Sequence, residues 1–163
     1  MMSSEAKTRI ISLLVDDKPG VMERVSMVFG RRGINIDSIT VGRANGTKAR
    51  IVLLYKLDDK KNRHLIALLR KIHQVHTLDE FDYENAVLRE LALLRVRVPA
   101  EETKLKIMRE IDQYGARILN VGVSFLLLEI SGDSSRVQSF LEKLEPGLIV
   151  DVTRSGLAAM QIS

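Results

Sequence analysis

With 163 residues, 45% of them hydrophobic, the chain can build one ordinary domain or two small ones of about 75–80 residues each. The absence of cysteine excludes a disulfide framework and thiolate metal or redox chemistry. MMSSEAKTRI lacks the apolar core of a signal peptide and no apolar run reaches membrane-spanning length, so a soluble, cytoplasmic protein is expected. The net charge of +4 sits in the first half: residues 1–84 carry 15 Lys and Arg against 11 Asp and Glu, residues 85–163 carry 10 of each. Such a bias permits binding to nucleic acid or to an acidic partner, with Arg43, Lys48 and Arg50 as candidate contacts.

RIISLLV (9–15) reads as a buried strand, ended by Pro19-Gly20. Val21, Val25, Val28 and Phe29 form the apolar stripe of a helix, and Gly33 is placed to cap its C-terminus. INIDSITV (34–41) and ARIVLLYKL (49–57) make a hairpin that turns at Asn45-Gly46. A second helix is expected over 61–73, from Leu65, Leu68, Leu69 and Ile72, and a weaker strand over 75–83. The order is β-α-β-β-α-β.

The second half repeats it. LALLRVRV (91–98) is a strand, Leu105, Met108 and Ile111 mark a helix ending at Tyr114-Gly115, and 116–121 with 124–130 form a hairpin turning near Gly122. Val137, Phe140, Leu141 and Leu144 mark a last helix, and LIVDVTRSG (148–156) a closing strand. The fold class is therefore α+β, two tandem ferredoxin-like units at 7–84 and 90–158 joined by a short linker, ENAVLRE (84–90). Each unit alone is small for a stable core, which favours an oligomer. After the closing strand, RSGLAAMQIS leaves an apolar tail that either packs on its own sheet or serves a partner.

Catalytic signatures are absent. There is no phosphate-binding glycine loop or serine elbow, and GDSS (132–135) lacks the third glycine of a thiamine-diphosphate motif. His73 and His76 straddle a helix end without a third ligand, so no metal site is assigned. Asp58-Asp59 and Glu101-Glu102 fall at helix starts, where acids cap amides and complement the macrodipole. With aromatics at 4% and no Gly-aromatic strand signature, base stacking of the RNA-recognition type is disfavoured.

One stretch offers ligand chemistry. Free amides at the start of the first helix, around Gly20 and Val21, favour a carboxylate. Asn35, followed by Ile36, can present a carbonyl oxygen to an ammonium, and Asp17 can add a charged one. The pair of functions describes a free α-amino acid; the same residues also serve as an ordinary helix entry and turn.

LLVDDKPGVMERVSMVFGRRGINIDSITVGR, with P-G-V and R-G-I-N-I-x-S-I-T-V, resembles an ACT domain, and more narrowly that of the regulatory small subunit of acetohydroxyacid synthase (acetolactate synthase). IVDVTRSG, with Arg154, Ser155 and Gly156, is similar to that family's end, so the resemblance covers essentially the whole chain. It implies a non-catalytic subunit that homodimerises through its N-terminal ACT domain and binds a branched-chain amino acid, valine foremost, at that interface. Gly20 and Asn35 match two positions of the family's valine site, where Asp17 stands in place of the family's common Asn. The resemblance implies no cofactor in this chain; thiamine diphosphate, Mg and FAD are expected on the catalytic large subunit, the implied partner, and neither nucleic acid nor membrane. A stand-alone ACT-type amino-acid sensor acting on another enzyme is the alternative.

Overall fold

A computed structural model of the chain describes residues 5–82 and 84–162. The chain divides into two units: one holds the residues up to Val87 together with those from Leu157 onward, the other is Leu88–Gly156. In the first, β1 (Lys7–Asp16), α1 (Val21–Gly30), β2 (Ile36–Arg43), β3 (Lys48–Leu57), α2 (Asp59–Leu69) and β4 (Val75–Phe81) follow one another. They form an antiparallel sheet of order β2-β3-β1-β4. Ile11, Leu13 and Val15 alternate along β1 with Ile51, Leu53 and Tyr55 of β3 opposite, and this face buries Val21, Val25 and Phe29 of α1 and Leu65 and Leu69 of α2. The helix-free face also buries side chains, namely Ile10, Ser12 and Val52.

Local chemistry sets the helix ends. Gly33 takes φ +62°, its N–H donates to the carbonyl of Gly30 and the N–H of Ile34 to that of Phe29, a Schellman ending to α1. Asp58 accepts from the N–H of Lys61 and starts α2 two residues earlier than the apolar stripe indicates. The helix stops at Leu69 because Lys71 and Ile72 turn back on Leu68 and Leu69; Ile72 still packs on the core, which is why the stripe reads on to 73. Of the strand expected over 75–83, Val75–Phe81 is formed, while Tyr83 lies outside the described residues, as do Met1–Ser4 of the leader reading.

The second unit contains most of β5 (Ala86–Arg97), α3 (Glu101–Tyr114), β6 (Arg117–Val121), β7 (Phe125–Gly132), α4 (Ser134–Lys143) and β8 (Ile149–Arg154), in the sheet order β6-β7-β5-β8. Ala92, Leu94, Val96, Leu126, Leu128 and Ile130 line its core with Ile107, Ile111, Val137 and Phe140 of the helices. The expected linker at 84–90 is a correction: from Ala86 it is the first part of a twelve-residue strand. Its alternation Ala86, Leu88, Glu90, Ala92 continues the buried period of two, and only the charge of Glu90 hides it. The tail is likewise a strand, β9 (Ala158–Gln161), paired with β5, with Leu157 and Ala159 buried and Met160 and Ile162 exposed. Among the described residues no helix is long and apolar enough to cross a membrane.

Candidate functional site

The β1–α1 loop is held by its backbone. The N–H of Asp17 donates to the carbonyl of Thr47 at 2.8 Å and that of Asp16 to the carbonyl of Gln74 at 3.0 Å, which pins the loop between the β2–β3 turn and the start of β4. Gly20 is the N-cap of α1 at φ +84°, with no side-chain cap. An added Cβ would meet nothing within 4 Å, so glycine is required there by backbone conformation, not by crowding. The first α1 hydrogen bond from its own turn is Arg24 N–H to the carbonyl of Gly20, leaving the amides of Met22 and Glu23 without a partner among the described residues.

The two acids of the loop differ. Asp16 lies 2.7 Å from Nε2 of His76 and 3.5 Å from Nζ of Lys18, and the His76 hydrogen bond, followed by the charge of Lys18, holds its carboxyl below the usual carboxylate range. Asp17 is exposed, with Nε of Arg43 at 3.7 Å. His76, weighed above as a metal ligand, is thus the partner of Asp16. Its signal was available in the strand register, since Val15 at the end of β1 pairs with Val75 in β4.

Asn35 and Ile36 lie elsewhere. Asn35 is exposed and donates from Nδ2 to Oδ1 of Asp37 at 3.0 Å, so its amide oxygen is the group it can offer a ligand. Ile36 is half-buried against the core and pairs with Tyr55, whereas Asp16 pairs with Lys48, seven residues away along β3. That separation is about 23 Å, and the ten residues of α1 put about 15 Å between its ends. The structure therefore brings together Asp17, Gly20 and Val21 at one end of the sheet and Asn35 and Ile36 at the other. Within one chain they do not form a single amino-acid site.

The basic trio is also taken apart: Arg43 faces Asp17, Arg50 donates to Oγ of buried Ser12 at 2.9 Å, and Lys48 is half-buried.

In the second unit, the segment singled out by resemblance is a joint. Arg154 makes two contacts with the buried carboxylate of Glu90 and donates to Oε1 of Gln138 at 3.3 Å. Oγ of Ser155 accepts from the N–H of Leu91, and Gly156 turns at φ +78°. Arg154 and Ser155 thereby fasten β8 to β5.

The description "AHAS small subunit-like ACT domain" matches residues 11–77, which contain all five candidate ligand residues, and "Small subunit of acetolactate synthase" matches residues 89–163. Over 161 residues the chain is 35% identical to a probable acetolactate synthase small subunit of Methanothermobacter thermautotrophicus, covering 98% of this chain and 96% of that one. The chain belongs to the acetolactate synthase small-subunit family. An acetolactate synthase small subunit of Mycolicibacterium smegmatis is 33% identical over 160 residues, 98% of this chain and 94% of that one. The crystal structure of the acetolactate synthase small subunit from Thermotoga maritima superposes with a TM-score of 0.86 at 34% identity, covering 95% of this chain and 97% of that one. The acetolactate synthase small-subunit fold of two tandem ferredoxin-like units, the first an ACT domain, thus spans both halves of this chain.

Proposed function

We propose that this chain is a non-catalytic regulatory subunit that activates a thiamine-diphosphate-dependent acetolactate synthase catalytic subunit and confers feedback inhibition by valine or another branched-chain amino acid. The observation that carries the reading is the division of the candidate residues between the two ends of the first sheet. β2 is an edge strand with one side unpaired. Its Arg43 end lies beside Asp17 and its other end follows Asn35. A two-fold axis pairing β2 with β2 of a second copy, antiparallel, carries Asn35 and Ile36 of one chain to Asp17, Gly20 and Val21 of the other.

The α1 helix supports that pairing. At about 100° per residue, Met22, Ser26 and Gly30 share one flank, two of them small enough for close approach of a second helix. In the two-chain site the amides of Met22 and Glu23 receive the carboxylate, while the amide oxygen of Asn35 and the carboxylate of Asp17 receive the ammonium. Ligand binding frees Asp17 from Arg43, an exchange between solvent-exposed charges that costs little.

Regulation requires coupling between effector and catalytic partner, typically about 1–3 kcal/mol, and the coupling is reciprocal. The test is calorimetric titration with valine, with leucine, isoleucine and glycine as comparisons, in the absence and presence of the catalytic subunit. Saturable valine binding that is lost in Asn35→Ala and in Gly20→Asp, and weakened by a bound catalytic subunit, is expected. Valine affinity unchanged by the partner would overturn feedback through this equilibrium.

A further inference from the structure

The flank of α1 away from β2 faces α2. There Arg24, Met27, Val28 and Arg31 of α1, with Leu68, Lys71 and Ile72 of the α2 side, line an open groove of about 580 Å³. Its bottom is apolar: Val28 and Ile72 also pack against the core, and Met27 is 40% exposed above them. Its edges are cationic, with no acid in the lining. Among the described residues Arg24, Arg31, Arg32 and Lys71 have no carboxylate partner, although nine other Lys and Arg side chains do. Oε1 of Gln74, also in the lining, is buried without a hydrogen-bond partner. Arg32 continues the cationic edge into a second hollow with Lys56 and Lys60.

We infer that this α1–α2 groove is a docking site for an acidic, amphipathic segment of a partner protein, and that the partner is the catalytic subunit; the inference rests on the regulatory reading above. Charge complementarity selects the segment. Guanidinium groups without a carboxylate partner around an apolar floor recognise carboxylates flanking apolar side chains, although Arg32 also donates to the carbonyl of Val28 and Arg31 to Sδ of Met27. An open trough on the surface buries too little of a small ligand to hold it tightly. Stacking of bases would need aromatic platforms, and no Phe, Tyr or Trp lines the groove. The groove lies on the flank opposite Met22, Ser26 and Gly30, so a dimer through β2 leaves it open.

The experiment measures the affinity of the full chain for the acetolactate synthase catalytic subunit of the same genome at low and moderate salt. It compares wild type, Arg24→Glu/Arg31→Glu/Lys71→Glu, the milder Arg24→Gln/Arg31→Gln, and Lys143→Glu in the second unit. Expected is an affinity that falls with salt, at least about tenfold weaker binding and a flatter salt dependence in the triple variant, a smaller loss in the double, and no change in Lys143→Glu. Unchanged melting temperatures for all variants tie the loss to charge and not to folding. Wild-type binding that the triple variant retains overturns the groove while leaving the regulatory reading standing. Absence of any wild-type binding to the catalytic subunit overturns both. Salt-dependent binding of single-stranded RNA, lost in the triple variant while catalytic-subunit binding persists, reassigns the groove to nucleic acid and overturns the proposal.

Discussion

Glu90 is 7% exposed and the fork of Arg154 closes on it, with Gln138 behind. A buried carboxylate without its cation pays desolvation that nothing offsets. Arg154→Leu is therefore expected to destabilise the second unit by about 2 kcal/mol, less than for a fully buried pair because the Arg154 side chain keeps 37% of its exposure. Replacing Glu90 as well, in Glu90→Leu/Arg154→Leu, removes the orphaned charge and should recover most of the loss. Denaturant unfolding of the single and double variants checks this, and a double variant no better than the single would show that packing, not charge, is at stake. A second polar chain crosses the first unit: Tyr55 donates to Asn62 at 2.7 Å and Asn62 to Glu80 at 2.9 Å. Burial, and then the charge of Glu80, push the Tyr55 phenol upward, so it remains a donor at any working pH.

At the scale of elements, the start of α2 rests on Asp58, whose carboxyl is held low first by the hydrogen bond from the N–H of Lys61. A carboxylate with a depressed value in the folded chain stabilises above its unfolded value and loses that contribution as pH falls through the folded one. Asp58→Ala should lower the melting temperature by a few degrees at neutral pH, with the difference from wild type narrowing to that of a neutral cap under acid conditions below the ordinary value of 3.8. Asp58→Asn, an uncharged cap, should keep a difference from Ala throughout the titration. Thermal scans across pH 2–7 decide it, and an Asp58→Ala deficit that does not shrink in acid would contradict the charge-assisted part of the cap. Such caps are short-range, which is why the positions of helices and hairpins were legible in the sequence: Gly33, Gly115 and Asn45-Gly46 act within five residues of themselves. The course of β5 through 86–90 was not legible, because Glu90 reads as a break until Arg154, 64 residues away, is placed beside it. The candidate ligand residues were legible by type but not by placement. Nothing in the spacing of Gly20 and Asn35 tells that a sheet of this register puts them at opposite ends.

For the whole molecule, that separation makes a prediction a single-chain site cannot share. In a two-fold dimer each site takes Gly20 from one chain and Asn35 from the other, so Gly20→Asp and Asn35→Ala each disable both sites of their own homodimer. A mixed dimer of the two variants combines both defects in one site and leaves the other with native Gly20 and native Asn35. Co-refolding the variants in equal amounts gives about half mixed dimers if pairing is random, hence about one native site per four in total. Valine titration of the mixture should recover about a quarter of the wild-type stoichiometry at wild-type affinity, although neither variant binds alone. A mixture as inert as its components would place the whole site in one chain and remove the β2 pairing from the model of regulation. Recovery would also explain why a chain whose halves are each small keeps an unpaired edge strand: the edge is where the second half of the effector site arrives.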